Sequence, residues 1–178
     1  MKHKIGIIGC GMLGKELEMF FQLLDNDYYI ITPYPHFKYD ICDVHTVDKI
    51  CQENDIIVNC AAYTNVDLAE NEKADLCWQV NAFAVSNLAK LCKKYNKKLI
   101  HISTDFVYGQ NHYPEWELPR NTESSECNPV NNYGKTKLEG ENYIINTLDQ
   151  EQYLILRVSW TFGKFGNNFI SKIVNQLL

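Results

Sequence analysis

This sequence has no long apolar run, no basic face and no ordered cysteine spacing. No apolar stretch approaches the roughly 20 residues that cross a bilayer. The opening MKHKIGIIG has basic residues followed by only about four apolar ones before glycine intervenes, too few for a signal-peptide core. With 17 basic against 22 acidic side chains, net −5, no Lys/Arg-dense face exists to follow a phosphate backbone. The seven cysteines, Cys10, Cys42, Cys51, Cys60, Cys77, Cys92 and Cys127, contain no C-x-x-C and no metal-ligand spacing, which points to reduced thiols rather than disulfides or zinc. The expectation is a cytoplasmic protein without nucleic-acid or membrane partners and without a metal. Internal repeats, low-complexity tracts and linkers are also absent. A length of 178 residues, 46% hydrophobic, suits one domain around one core.

Strand-length apolar runs alternate with segments of helical period throughout. That pattern predicts an α/β fold, a Rossmann-like doubly wound parallel sheet with helices on both faces. Strands are expected at Lys4–Ile8, Tyr28–Thr32, Asp55–Cys60, Leu99–Ser103 and Tyr153–Ser159, with a short extra one at Phe37–Ile41. Prolines 33 and 35 should stop the second. Leu13, Leu17, Phe20, Phe21 and Leu24 trace one face of a first helix, and Val44, Val47, Ile50 and Cys51 that of a second. Val66 to Tyr95 is helical with a break near Asn71–Lys73, and Leu76, Val80, Phe83, Leu88 and Leu91 are its candidate buried positions. A loop covers 109–130, and a further helix runs from Asn132 to Thr147, capped by Asn131 or Asn132.

Between the first strand and helix lies Gly9-Cys10-Gly11-Met12-Leu13-Gly14, a G-x-G-x-x-G. In that setting the glycines allow a tight turn, and backbone N–H groups can approach a pyrophosphate at the helix N-terminus. An acid that would hold an adenosine ribose is missing about 20 residues on, where the chain reads Ile31-Thr32-Pro33-Tyr34. His36 and Lys38 stand nearby, able to face a 2′-phosphate, which favours NADPH and leaves NADH open.

Tyr133 and Lys137 form a Tyr-x-x-x-Lys, but spacing alone is poor evidence. About one such pair is expected by chance from this composition, and the sequence has two. The other, Tyr34 and Lys38, has prolines on both sides of its tyrosine, which forbid a regular helix. Tyr133 lies at the start of good helix-forming sequence, so it should share a face with Lys137. An ammonium one turn away favours phenolate and lowers a phenol's pKa from its usual value near 10. Ser103-Thr104-Asp105, at the end of a neighbouring strand, supplies a hydroxyl where open α/β sheets bind ligands.

NCAAYTNVDLAE (59–70), VNAFAVSNLA (80–89), STDFVYG (103–109), NNYGKTKLEGE (131–141) and LRVSWTFGKFGNNF (156–169) together resemble the extended short-chain dehydrogenase/reductases, most closely the dTDP-4-dehydrorhamnose reductases. The resemblance runs over nearly the whole chain. It implies NAD(P)H-dependent reduction of the 4-keto group of a dTDP-4-keto-6-deoxy sugar, with Tyr133 as proton donor. Lys137 would hold the nicotinamide ribose and tune that tyrosine, and Thr104 would bond the keto oxygen or adjust its environment. Gly11, Met12 and Leu13 would line the pyrophosphate, Asp43 and Val44 the adenine, and Ala61, Ala62 and Tyr63 the cofactor after the third long strand. Asp105, Trp160 and Asn168 would touch the sugar nucleotide; the plainer roles are core for Trp160 and a helix cap for Asn168. The glycine turn is one residue shorter than the family's usual G-x-x-G-x-x-G. The resemblance makes residues 1–178 an NAD(P)-binding Rossmann domain. From about 156 the family's substrate-binding part begins, most of it missing here, and with it much of the contact of a possible homodimer. The same motifs are compatible with two alternatives: a non-catalytic NADP-binding regulatory subunit resembling the beta subunit of methionine adenosyltransferase, or a related UDP- or GDP-sugar reductase or epimerase.

Overall fold

The structure, a computed structural model, describes residues 2–24, 28–109, 121–166 and 168–177. Five strands form one parallel sheet: β1 (His3–Ile8), β2 (Tyr29–Tyr34), β3 (Ile56–Asn59), β4 (Lys98–Thr104) and β5 (Tyr153–Val158), in spatial order β2-β1-β3-β4-β5. Seven α-helices among the described residues connect and flank them: α1 (Met12–Leu23), α2 (Val44–Glu53), α3 (Val66–Ala69), α4 (Ala74–Trp78), α5 (Ala84–Lys94), α6 (Asn132–Thr147) and α7 (Phe169–Leu177).

Alternation along the strands divides the core between the two faces. Ile8, Ile57 and Leu99 join buried side chains of α2, α5 and α6, including Val47, Val85, Leu88 and Ile144. Ile5, Ile7 and Val58 face the other way, against Leu17 of α1. Helices therefore cover both faces, as the alternating pattern predicts. The α1 side is the thinner: Leu154 and Leu156 of β5 stay exposed, as do Phe20 of α1 and Leu24 just after it, two of the five residues expected on the helix's inner face.

Two local expectations are corrected. Residues 36–42 hold turns, so Phe37–Ile41 is no strand, and Phe37 is among the most exposed apolar residues at 89%. Strand β2 runs through Pro33 to Tyr34. It pairs only with β1, so it is an edge strand, where a residue without an N–H removes no ladder bond on its open side.

The long helical segment breaks at Asn71–Lys73 as expected and then contains a π-helical turn over Gln79–Phe83. One extra residue in that turn rotates everything beyond it, so a 3.6-residue period carried across it picks the wrong positions. Phe83 (49% exposed) consequently lies outside, whereas Asn81 and Ala82 are inside; Leu76 (44%), before the turn, is also exposed, and its neighbour Cys77 is the buried position. Residues 121–130 are irregular, as expected of the loop; 110–120 lie outside the described residues. Among the described residues no helix is long and apolar enough to cross a membrane, and no cluster of His, Cys, Asp or Glu has the grouping of a metal site.

Candidate active site

All five strands end on the same side of the sheet, and there a cavity of about 550 Å³ opens. Gly11, Met12 and Leu13 line it at the start of α1, Ala62 after β3, Thr104 and Asp105 after β4, Tyr133 and Lys137 on α6, and Trp160 and Asn168 beyond β5. Ten of the residues singled out in the sequence thus meet in one place. Gly9, Gly14, Ala61 and Tyr63 do not line it; Gly9 packs on Ala61, and Gly14 on Gly9. Asp43 and Val44 stand apart, at the N-terminus of α2.

The glycine turn is dictated by close backbone approach. Gly9 has φ +86°, and a Cβ there would lie 2.5 Å from the Ala61 nitrogen; a Cβ on Gly14 would lie 2.2 Å from the Gly9 carbonyl oxygen. Both positions require glycine for packing. Gly11 differs: nothing lies within 4 Å of the space its Cβ would occupy, and no side chain caps the N–H groups of α1 behind it. An open cradle of free N–H groups at a helix N-terminus fits a pyrophosphate. Asp43, by contrast, spends its carboxylate capping α2, accepting from His45 N (3.0 Å) and Thr46 Oγ1 (2.6 Å).

Helix α6 begins where Asn131 Oδ1 accepts from Gly134 N at 2.7 Å, which settles the cap between the two asparagines. Its start brings Tyr133 edge-on to Phe106, ring centroids 5.7 Å apart. Burial raises the Tyr133 phenol above its ordinary value, while a hydrogen bond with Thr104 pulls it back; Cys77 and Asp105 add to the rise. Lys137 is not among these influences. Its amine turns inward, donating to the Ile102 carbonyl at 2.7 Å and lying 3.3 Å from His101 Nε2. The lowering of the tyrosine's pKa expected from a neighbouring ammonium is therefore not realised in this arrangement. Lys137 is itself 1% exposed, and burial lowers it to about 8.

Thr104 Oγ1 donates to Asp105 Oδ1 at 3.2 Å and accepts from Phe106 N, while Ser159 Oγ donates to Asp105 Oδ2 at 2.6 Å. Trp160 is 72% exposed and meets Phe169 edge-on at 4.9 Å, so it is a wall of the cavity and not core. Asn168 lines the cavity while acting as the cap of α7: its Nδ2 donates to the Gly163 carbonyl at 2.9 Å and its Oδ1 accepts from Ser171 N at 3.1 Å.

Asn81, which received no role from the sequence, holds this site together. It is fully buried in the π turn. There its Oδ1 accepts from Tyr63 N (2.9 Å), and its Nδ2 donates to Tyr63 O (3.0 Å) and Thr136 Oγ1 (3.1 Å). One side chain thereby ties the segment after β3 to the helix carrying Tyr133 and Lys137. The available signal was an asparagine in the middle of a helical apolar face, since a buried amide must find partners. A second hollow of about 630 Å³ lies along β5, lined by Tyr108, Glu141 and Arg157. Its arginine is spent on one carboxylate: Arg157 Nη2 bonds Glu141 Oε2 at 2.7 Å, and Ser103 also donates to Glu141. The glycine turn, Tyr133 and Lys137 belong to the first cavity, which is the candidate site.

Comparison with known proteins agrees with this geometry. The family profile described as RmlD substrate binding domain matches residues 4–178. The dTDP-4-dehydrorhamnose reductase of Aggregatibacter actinomycetemcomitans is 34% identical over 92% of this chain and 53% of its own length. That of Mycolicibacterium smegmatis is 38% identical over 74% of this chain and 38% of its own. The crystal structure of dTDP-4-dehydrorhamnose reductase from Bacillus anthracis in complex with NADP superposes with a TM-score of 0.83 at 35% identity, covering 98% of this chain and 59% of that one. The chain thus spans about half the length of the relatives it matches. With a five-stranded parallel sheet, a glycine cradle and this degree of identity in agreement, the chain belongs to the RmlD substrate binding domain family, that of the dTDP-4-dehydrorhamnose reductases.

Proposed function

We propose that the whole protein reduces the 4-keto group of a dTDP-4-keto-6-deoxy sugar to the alcohol with NADPH, in the cytoplasm, with residues 1–178 as its NAD(P)-binding part and the substrate portion beginning near 156. The observation that carries this reading is the convergence of Thr104, Tyr133 and Lys137 on the cavity that the Gly11 cradle also lines. Gly11, Met12 and Leu13 would hold the pyrophosphate, and Ala61, Ala62 and Tyr63 would flank the rest of the dinucleotide. When bound, NADPH supplies the hydride. His36 and Lys38, exposed after β2, favour the 2′-phosphate form over NADH, because β2 ends at Tyr34 without the acid that would hold an adenosine ribose.

The chain's own residues then manage the proton. Burial keeps the Tyr133 phenol protonated at neutral pH, as a general acid requires. Tyr133 and Thr104 line the same cavity, where a keto oxygen can take the phenol's proton as negative charge develops. Lys137 supplies positive charge one helical turn away and donors for ribose hydroxyls. Asp105 and Trp160 form the wall against which the sugar nucleotide rests.

The test is NADPH oxidation by the full-length gene product with a dTDP-4-keto-6-deoxy sugar. Turnover is expected, falling about 100-fold or more in Tyr133→Phe. Unchanged turnover in that variant would overturn the assignment.

A further inference from the structure

Behind the candidate site, the face of the sheet that packs on α5 and α6 changes character over one step. Ile57 and Leu99 are paired across β3 and β4 and are apolar; two residues on, the paired positions are Asn59 and His101. Both are fully buried, and neither was singled out in the sequence. Polar side chains in such a place must satisfy one another, and their partners form a single chain. Asn59 Oδ1 accepts from Ala61 N at 3.1 Å, Asn59 Nδ2 lies 3.1 Å from His101 Nδ1, and His101 Nε2 lies 3.3 Å from Lys137 Nζ.

The order of donors along this chain is forced from one end. A backbone N–H can only donate, so the atom of Asn59 facing Ala61 is its oxygen and the atom facing His101 is its NH₂. His101 Nδ1 must then accept. Burial, and next to it the charge of Lys137, keep the imidazole neutral, so its single proton sits on Nε2. Lys137 consequently meets an N–H and not a lone pair. A neutral amine can accept that N–H while donating to the Ile102 carbonyl; an ammonium at the same place opposes donor to donor.

We propose that His101, held in its Nε2–H tautomer by Asn59, is a positioning residue that weakens the hold of Lys137 on its proton. It thereby sets the pH above which the site loses its cation. Burial itself lowers the amine, and the other groups around it add nothing to that lowering. Glu141, the nearest acid on α6, is committed to Arg157 and Ser103. Cys60 after β3 and Cys77 on α4 are held protonated, both by burial above all, Cys60 up to about 12. Tyr133 stays a neutral phenol.

The inference rests on Lys137 acting in the proposed reduction, yet it can be tested with or without turnover. In the ligand-free full-length gene product, the Lys137 ¹³Cε resonance, identified by its loss in Lys137→Met, is titrated by NMR. His101→Phe removes the donor and is expected to move the midpoint up by about one pH unit, a tenfold gain in proton affinity. Asn59→Asp turns an acceptor toward Nδ1, transfers the proton there, leaves the Nε2 lone pair facing the ammonium, and is expected to move it further up. Where the protein turns over sugar, the alkaline limb of kcat/KM should shift in parallel in both variants. A midpoint and limb unmoved in folded variants, with only a pH-independent loss of turnover, would reduce His101 to packing and overturn the proposal. Absence of turnover with shifted NMR midpoints would instead sink the reductase reading and leave the role of His101 standing.

Discussion

Two tyrosines in this molecule stand four residues before a lysine, and the fold treats them in opposite ways. Tyr34 ends edge strand β2, 4% exposed, where its hydroxyl donates to Glu53 Oε2 at 3.1 Å and accepts from Asn54 Nδ2 at 2.9 Å. Lys38 lies beyond a turn on the surface, 5.2 Å over the Tyr39 ring. Tyr133 opens helix α6, and Lys137 follows one turn later on the same cavity wall. The first pair is a buried strut and a solvated cation. The second is a cluster of groups with shifted proton affinities. Backbone conformation, and not spacing, makes a pair chemical.

Substitution at the two tyrosines should separate the pairs most widely. Tyr133→Phe is expected to cost about 100-fold or more in NADPH oxidation, while Tyr34→Phe leaves turnover near that of the parent. Equal losses would erase the distinction. The position of α6 is the next target. A Cβ on Gly140 would fall 2.3 Å from the Asn81 carbonyl oxygen, so Gly140→Ala should lower the stability seen in urea unfolding by about 1–3 kcal/mol. Gly11→Ala, with open space around it, should leave the urea midpoint unchanged and weaken NADPH binding instead.

Lys137→Met sharpens the contrast through pH. The folded-state value of about 8 lies below the ordinary 10.5, so the folded protein bears the full cost of a buried ammonium below about pH 8 and is relieved of it as pH rises toward 10.5. The methionine variant should therefore be the more stable at neutral pH, with a margin that shrinks through that window, while losing activity. A margin that grew with pH would show that the lysine is not buried as a cation. Tyr34→Phe leaves Asn54 short of one partner and should cost about 1 kcal/mol in the same unfolding assay. Lys38→Ala, on the surface, should change stability by less than about 0.5 kcal/mol.

Much of this was legible because it is local. The glycine turn, the Asn131 region as a helix start and the break at Asn71–Lys73 all announce themselves within a few residues. Pro33 misled because a sequence does not show whether a strand lies at an edge. Phe83 misled because one extra residue in the π turn at 79–83 shifts the periodicity that identifies a buried face. Asn59, Asn81 and His101 stayed unreadable for a different reason. A buried polar residue is recognisable only through its partners, and these are 18 to 55 residues away in the chain.

The sequence by itself determined the alternating α/β order, the glycine cradle and which tyrosine could share a helical face with a lysine, since backbone preference and hydrophobic period act over single turns and strands. Tertiary structure decided the rest. Only the pairing of β3 with β4 sets Asn59 beside His101, and only the packing of α6 on that pair turns Lys137 away from Tyr133 and into the sheet. Proton affinities depend on burial and on neighbours from other elements, and those exist only once the chain has folded.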